Sequence, residues 1–520
     1  MAIQNLSRRN FLQGAVLAGA GLTGAGVLAA CSQAETATDE GLATTGDEYT
    51  WEGEADLVIL GSGCAGMYGA YHAADAGLSV ILLEKQPEET AGGDTRCMGG
   101  YMNRKNMTMD LLMNSYSFGD CDEEWAQKIV DGSLDTVDFL LEHGCEWETV
   151  EDGFLKGNGP AVYECLRDAM LTKNVDVRYE TPATELIQND TGEVIGVVAT
   201  SNGQPVNFKA KRAVLVATGA YTCNKQLMWD LNLPGIDTYS ISSPYLTGDG
   251  LLMAANLGAR IGKVSKGVEF DAFVSKAASE EIGTGIEMLK PPTPSLIYVN
   301  GEAKRFQDEY LNMQHSKTTL PCTYFTGSMA EYRQSAAHYD NGIMWEVFDQ
   351  AAFDSGSVGN TTSNMTWANV IPSDGYIWSE DNKAELENGW ILQADTLEEL
   401  AGKMGVDPTA LVETVTAYNA GCEAGEDAFG RNPEMLVALG EGPYYAVQLG
   451  ISVLYTIGGL MTDANGRTLD WTNNPIPRLY SAGNVGTVGS YLAAIAARGN
   501  MTQALIAVED IQTLGAWDEA

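Results

Sequence analysis

Residues 55–60, Ala-Asp-Leu-Val-Ile-Leu, run straight into Gly61-Ser62-Gly63-Cys64-Ala65-Gly66, and one further helix and strand bring the chain to Glu84. The apolar run predicts a buried strand, residues 65–76 a helix of small side chains, and residues 79–83 a second strand. In a G-x-G-x-x-G turn the first glycine permits the sharp turn and the second lets backbone approach a pyrophosphate. The third lets the helix lie close to the strand. The free N–H groups and positive dipole end of that helix then face the phosphates. Glu84 stands where a carboxylate accepts hydrogen bonds from ribose hydroxyls. A lone glycine pattern is weak, because ordinary βαβ turns use the same residues. Strand, helix, strand and acid in order make it specific for a dinucleotide.

The 520 residues are enough for two domains. Thirty Lys and Arg against 70 Asp and Glu leave a net charge of −40, which argues against a nucleic-acid partner. Ser7-Arg8-Arg9-Asn10-Phe11-Leu12 resembles a twin-arginine export signal. A Gly/Ala-rich apolar run follows and ends in Leu28-Ala29-Ala30-Cys31, which resembles a lipobox. The expectation is an extracytoplasmic protein of the cell envelope, lipid-anchored at Cys31. Residues 1–31 are the signal, and the acidic, Thr-rich residues 32–54 read as a disordered linker. The cysteines after Cys31 form no C-x-x-C or C-x-x-C-H, and no two of the four histidines have ligand spacing, so no metal site, cluster or haem is expected.

Beyond Glu84 the glycine-rich stretch 91–100 suits close contact with a flat or anionic group. Residues 123–145 and 161–172 read as helices, and 175–179 and 194–200 as strands. Residues 213–218 form an apolar strand stopping at Thr218-Gly219, as a second nucleotide-facing crossover requires. From 251 to 440 the texture becomes mixed helix and loop. Thr396-Leu397-Glu398-Glu399 is a capping box there, and Asp407-Pro408 a second helix start. From 443 the glycine-rich strand pattern returns, followed by a last helix from about 500. The fold class is therefore α/β: a Rossmann-like domain split in sequence (55–250 and 441–520), with an inserted α+β capping domain (251–440).

These segments together resemble the FAD-dependent fumarate reductase/succinate dehydrogenase flavoprotein superfamily, which includes 3-ketosteroid dehydrogenases. The matching pieces are Gly61–Gly66 with Glu84, the 92–100 loop, Ala217-Thr218-Gly219, Thr247-Gly248-Asp249-Gly250, Val299-Asn300-Gly301 with Arg305-Phe306, Gly458-Gly459, residues 479–484 and Gly499-Asn500. The resemblance implies FAD as cofactor. It places the ADP half on Gly61, Gly63, Gly66, Glu84 and Lys85. Its flavin half would rest between the loop of Gly92, Gly93, Asp94, Thr95, Gly99 and Gly100, the turn of Gly483 and Asn484, and the start of the last helix with Asn500; Thr218, Gly219 and Asp249 are further cofactor-binding candidates. The flavin-linking histidine of the respiratory complexes has no counterpart near residues 92–95, so non-covalent FAD is expected.

The departures bear on the substrate. The proton-delivering cap arginine of fumarate reductases, eight residues after the Arg of Arg-Phe, corresponds to Met313. Their two carboxylate-binding histidines fall near Glu269-Phe270 and at Tyr455. Their C-terminal arginine falls at Ala496, with Arg498 shifted by two. Without those cations two carboxylates would stay unpaired in a dry cleft. The spacing of Tyr491 before Gly499 resembles the steroid dehydrogenases, but their following proline and glycines are absent. Tyr310, His315, Tyr455 and Tyr491 are the candidate catalytic residues, as proton donors or carbonyl-polarising groups. The sequence thus reads as an FAD-dependent oxidoreductase of activated carbon–carbon bonds, taking a small organic substrate other than fumarate, such as an enoate or enone. Its electron partner would be a membrane-associated donor or acceptor. The alternatives are a 3-ketosteroid Δ1-dehydrogenase-like enzyme and an electron-transfer flavolipoprotein with no organic substrate of its own.

Overall fold

The strand that carries the glycine turn, β1 (Trp51–Leu60), is the middle of the first sheet. The computed structural model describes residues 49–102, 108–110, 112–113, 122–150, 153–231, 238–264, 268–269, 273–289, 291–310, 343–359, 376–453, 455–456, 458–486 and 493–519. The signal, Cys31 and most of the linker lie outside that set. The linker's last residues do not: Trp51–Glu54 belong to β1, paired with Asn207–Lys209. The structure corrects the linker there, because the Trp51 indole covers Gly196, where any Cβ would strike the ring.

β1 leads through α1 (Cys64–Asp75) to β2 (Val80–Leu83), which lies parallel to β1. All four β2 side chains are buried, as expected of a central parallel strand covered on both faces. Helices α2 (Asp94–Cys97), α3 (Glu123–Glu142) and α4 (Asn158–Leu171) precede β3 (Asp176–Arg178), which pairs with β2. A hairpin of β4 (Ala183–Gln188) and β5 (Val194–Ser201) leads into the long β6 (Gln204–Val216). One edge of β6 lies parallel to β1; the other holds β5 along its first half.

The chain then enters a second sheet. Its strands are β7 (Thr238–Ser240), β8 (Phe273–Ser275), β9 (Leu296–Asn300), β10 (Met344–Asp349), β11 (Leu392–Ala394) and β12 (Tyr444–Val453). Helix α5 (Asp249–Asn256) lies between the first two and returns to the first sheet's side. β12 is the spine: β10 and β7 pair with one edge, β11 and β8 with the other. The domain limits read from sequence shift accordingly, since both β7 and β12 had been placed in the nucleotide domain. Their own composition suits either sheet; their hydrogen-bonding partners decide. Helices α6 (Leu397–Met404) and α7 (Pro408–Ala424) cover this sheet, and their caps are as expected. Thr396 accepts from the Glu399 N–H and Asp407 from the Ala410 N–H. Finally β13 (Arg467–Leu469) and β14 (Pro475–Ser481) rejoin the first sheet, β14 parallel to the second half of β6. Helix α8 (Ala493–Gln512) closes it, with Gly69 of α1 set against Ala504.

The cap is tied by a buried ionic knot. Arg305 grips Glu309 with two parallel hydrogen bonds of 2.7 Å and Asp427 with a third of 2.5 Å. Glu309 also accepts the Tyr298 N–H of β9 at 3.0 Å. Arg431 donates to the carbonyls of Leu296 (2.8 Å) and Pro294 (2.7 Å). Both Glu309 and Arg431 have fully buried side chains. Removing one partner of such a pair strands the other in a dry interior. Arg305→Met is therefore expected to lower stability by about 3–5 kcal/mol, read as a shifted urea midpoint at unchanged slope. A loss below about 1 kcal/mol would show that the knot does not anchor the cap.

Candidate active site

Three parallel strands end together and form the floor of one cavity. The Gly61 N–H donates to the Leu83 carbonyl (2.8 Å), and the Ala217 N–H to the Leu60 carbonyl (2.9 Å). Gly61 has φ +99°, and a Cβ there would lie 2.7 Å from the Ala217 oxygen. A Cβ on Gly66 would collide with the Gly61 carbonyl oxygen. Helix α1 thus rests on the strand ends, and only glycine at both positions allows it. The Cβ site of Gly63 is open, with nothing nearer than the Thr95 hydroxyl at 3.6 Å. The Thr95 hydroxyl accepts the Cys64 N–H at the start of α1 (2.7 Å), and the other N–H groups of the first turn have no side-chain cap from Gly63.

Glu84 is 5 % exposed, and its carboxylate is held from two sides. One oxygen accepts the Ser62 N–H (2.9 Å) and hydroxyl (2.6 Å); the other accepts the Gln86 N–H (2.9 Å). Beside it the Lys85 ammonium binds Thr247 and Asp249, each at 2.7 Å, clasping the end of β2 to the start of α5.

The cavity encloses about 800 Å³ including its open mouth. Its wall includes Gly61, Gly63, Glu84, Lys85, Gly93, Asp94, Thr95, Thr218, Gly219, Asp249, Gly483, Asn484 and Asn500. Four expected residues are not on it. Gly66 is spent on the contact with Gly61, and the Cα of Gly92 faces the Tyr163 ring of α4. Gly99 is buried, and Gly100 packs on Asn158. Those glycines seat the loop on α4. Sequence reasoning missed Ser62, Gln86, Tyr245 and Met253. Ser62 and Gln86 adjoin the recognised motif, and Met253 follows Asp249 by one helical turn; Tyr245 carries no local signal.

The wall suits the implied cofactor. Gln86 Oε1, Thr218 Oγ1 and Asn500 Oδ1 are buried there without a partner among the described residues. Each can accept a hydrogen bond, and ribose, adenine, ribityl and isoalloxazine edges all offer donors. Leaving three such atoms dry would cost about 1–3 kcal/mol apiece. On the same wall, Asp94 accepts from the Ser242 hydroxyl and from Asn484 Nδ2 (3.4 Å). Asn500 in turn donates to Asn484 Oδ1 (2.9 Å), and Gln503 accepts the Gly483 N–H (3.0 Å).

Of the four candidate catalytic residues only Tyr310 has a described side chain, and it does not line this cavity. Tyr310 is buried in the cap under the Arg431 guanidinium, 4.5 Å from its ring centre; burial pushes its hydroxyl up to about 12. His315 and Tyr491 lie outside the described residues, as does the side chain of Tyr455. The backbone of Tyr455 is placed, and it is informative. Tyr455–Thr456 pairs antiparallel with Val268–Glu269, setting Tyr455 directly opposite Glu269. The chain then runs to Leu460, which bridges to Gly486 beside the Asn484 turn.

A glycine-turn parallel sheet, an acid at the end of its second strand and a largely antiparallel capping sheet are the mixed α/β fold of the fumarate reductase-type flavoproteins. The chain belongs to the FAD binding domain family, which it matches over residues 56–158 and 154–496. It is 29 % identical over 460 residues to a vinyl phenol reductase of Lactiplantibacillus plantarum, covering 82 % of this chain and 89 % of that one. It is 27 % identical over 491 residues to a fumarate reductase (cytochrome) of Shewanella frigidimarina, covering 88 % and 75 %. The crystal structure of a 3-ketosteroid delta1-dehydrogenase from Sterolibacterium denitrificans shares the fold, with a TM-score of 0.67 at 21 % identity over 88 % of this chain and 99 % of that one. The chain is an FAD-dependent oxidoreductase acting on CH–CH groups.

Glu84→Ala removes the acceptor that Ser62 and Gln86 hold in place. FAD affinity of the apoprotein, measured by flavin fluorescence quenching, is expected to fall about 10- to 100-fold, the worth of one or two hydrogen bonds to a charged group. Unchanged affinity would remove Glu84 from the cofactor site.

Proposed function

We propose that the chain is an exported, lipid-anchored reductase of activated carbon–carbon double bonds, using non-covalent FAD and electrons from a membrane-associated partner. The twin-arginine motif and the Leu28-Ala29-Ala30-Cys31 segment support the location. Asp94 stands in the loop where covalent relatives carry the linking histidine, which supports a non-covalent cofactor. Its substrate is larger and less charged than fumarate, an enoate or enone.

The observation that carries the substrate class is the register Glu269 opposite Tyr455. By resemblance, the fumarate reductases supply their carboxylate-binding histidines near Glu269-Phe270 and at Tyr455, the two sides of this ladder. An acid and a phenol offer a dicarboxylate no cation, and the acid repels it. The phenol can still donate to a carbonyl or hydroxyl oxygen. The likeness to a vinyl phenol reductase supports the same direction, since a vinyl phenol is an alkene without a carboxylate.

Bound flavin supplies hydride transfer at its N5, in this reading to the carbon β to a carbonyl. The chain's part is to orient that carbon and deliver a proton to its neighbour. With Tyr310 held under Arg431 as part of the cap's interior, delivery falls to His315, Tyr455 or Tyr491.

Anaerobic reoxidation of the dithionite-reduced enzyme tests this. Enones, vinyl phenols or enoates are expected to reoxidise the flavin at least about 100-fold faster than fumarate, matching the loss of a charge-assisted clamp. Rapid succinate formation would refute the substrate class. Oxidation of 3-ketosteroids with an artificial acceptor, and no alkene reduction, would move the assignment to the steroid enzymes. Among His315→Gln, Tyr455→Phe and Tyr491→Phe, one is expected to slow reoxidation about 10²- to 10⁴-fold; full rates in all three would discard the proton-donor set. Acid precipitation should leave the flavin in the supernatant.

A further inference from the structure

Asp94 is a half-buried carboxylate on the wall of the flavin cavity, and among the described residues its surroundings lack a counter-charge. Its donors are all neutral: the Ser242 hydroxyl, the Asn484 amide and the Ser243 backbone N–H. Three thiols face it, Cys97 on its own helix, Cys64 at the start of α1 and Cys223 after β6. Burial pushes each thiol up, so all three are neutral near pH 7. Arg96, two residues on, turns away. Its Nε donates to the Ala91 carbonyl (2.9 Å), one terminal nitrogen donates to the Glu89 carbonyl (2.8 Å), and its guanidinium lies 4.3 Å from the Tyr163 ring centre. Lys85, on the same cavity wall, is engaged by Thr247 and Asp249. Among the described residues no ion pair reaches Asp94. Desolvation accordingly outweighs the three donors and pushes its carboxyl up to about 6.

The ADP end of the cofactor is fixed by the glycine turn and Glu84. By the family resemblance the redox-active ring belongs beside the 92–95 loop, the Asn484 turn and the start of α8, among Asp94, Asn484 and Asn500. We propose that Asp94 is a proton acceptor coupled to flavin reduction: its carboxylate takes up one solvent proton as the bound flavin gains two electrons, and releases it on reoxidation. The inference rests on FAD occupying this cavity. Reduction adds electron density beside a carboxylate that has no cation to offset it, so the protonated form is favoured more in the reduced enzyme than in the oxidised one. The electrons come from the reductant, dithionite in the test and the membrane-associated donor in the cell. The proton is additional to those the ring itself binds. When the alkene takes the hydride, Asp94 returns its proton to solvent.

The sign follows from the two pKa values. Below its pKa in the oxidised holoenzyme Asp94 is protonated in both states and adds nothing. Above that, up to its higher value in the reduced enzyme, each reduction takes up one more proton. The midpoint potential of the holoenzyme, titrated anaerobically from pH 5 to 9, should there fall more steeply by about 30 mV per pH unit. That is a tenfold change in proton activity converted for a two-electron couple. Asp94→Asn should abolish the steep window. Ser242→Ala, which removes a donor to the carboxylate, should move the window to higher pH. The reduced-minus-oxidised infrared spectrum should gain a protonated-carboxyl band in wild type and lack it in Asp94→Asn. A wild-type enzyme that binds flavin but shows neither steep window nor band overturns the proposal, as does an Asp94→Asn enzyme that keeps the window. Should Asp94→Asn fail to retain flavin, the wild-type band and the Ser242→Ala shift decide. Wild-type protein that takes up no flavin would overturn the cofactor reading itself, and this inference with it.

Discussion

The contact between α1 and the Gly61 carbonyl oxygen fixes the rest of the nucleotide site. No Cβ can stand at Gly66, and none can stand at Gly61 without striking Ala217. Because both are glycine, the helix begins directly on the ends of β1 and β6 rather than an ångström or two away. Ser62 is thereby held within reach of Glu84, whose two oxygens are oriented before any ligand arrives. The same approach brings the Cys64 N–H to Thr95 at 2.7 Å, which joins the loop before α2 to the first turn of α1. A backbone constraint between two glycines thus positions the acid, the helix end and the loop that carries Asp94.

The electrostatics of the cavity follow from how little of it is cationic. The chain carries a net charge of −40, yet it must hold a pyrophosphate. Over distances beyond about 8 Å physiological salt screens most of that repulsion, so local groups decide. Those at the glycine turn are peptide N–H groups and a helix end, while the one nearby lysine is neutralised by Asp249. Dipoles of this kind bind an anion without leaving a bare cation beside the flavin. Among the described residues Asp94 likewise has only dipoles for company, and its ionisation is open to influence from whatever charge the cavity acquires.

How much of this was legible in the sequence depends on whether the deciding contact is local. The βαβ unit was legible because its glycines, strand patterns and acid lie within thirty residues. The caps at Thr396 and Asp407 were legible for the same reason, since each bond spans three residues. The placement of β7 and β12 was not. Tyr444–Val453 is apolar enough for either sheet, and only pairing with strands one hundred residues away assigns it to the cap. Trp51 misled in the opposite sense: a polar, acidic neighbourhood suggested linker, whereas its ring serves Gly196 across the sheet. Gly92 and Gly100 show the limit of motif reading, because their lack of a side chain serves packing against α4 rather than contact with the cavity. Tyr310 was chosen by its spacing from Arg-Phe, but that spacing also brings it beneath Arg431.

Substrate choice in such a fold is a property of the connection between its sheets. The pair Val268–Glu269 and Tyr455–Thr456 joins a segment preceding β8 to one following β12, and the second continues to the turn that presents Asn484. A two-residue ladder has only one cross-strand neighbour for each position, so exchanging the residue types there changes the charge of the site without disturbing either sheet. With imidazoles at both positions a dicarboxylate would meet two donors able to carry positive charge. An acid and a phenol at these positions would offer a dicarboxylate no cation, and the desolvation of its carboxylates would go uncompensated as water leaves. An uncharged carbonyl or phenolic oxygen suffers no such penalty. The fold therefore need not change for the substrate to change, and the architecture shared with fumarate and steroid enzymes is compatible with a different chemical preference at this one register.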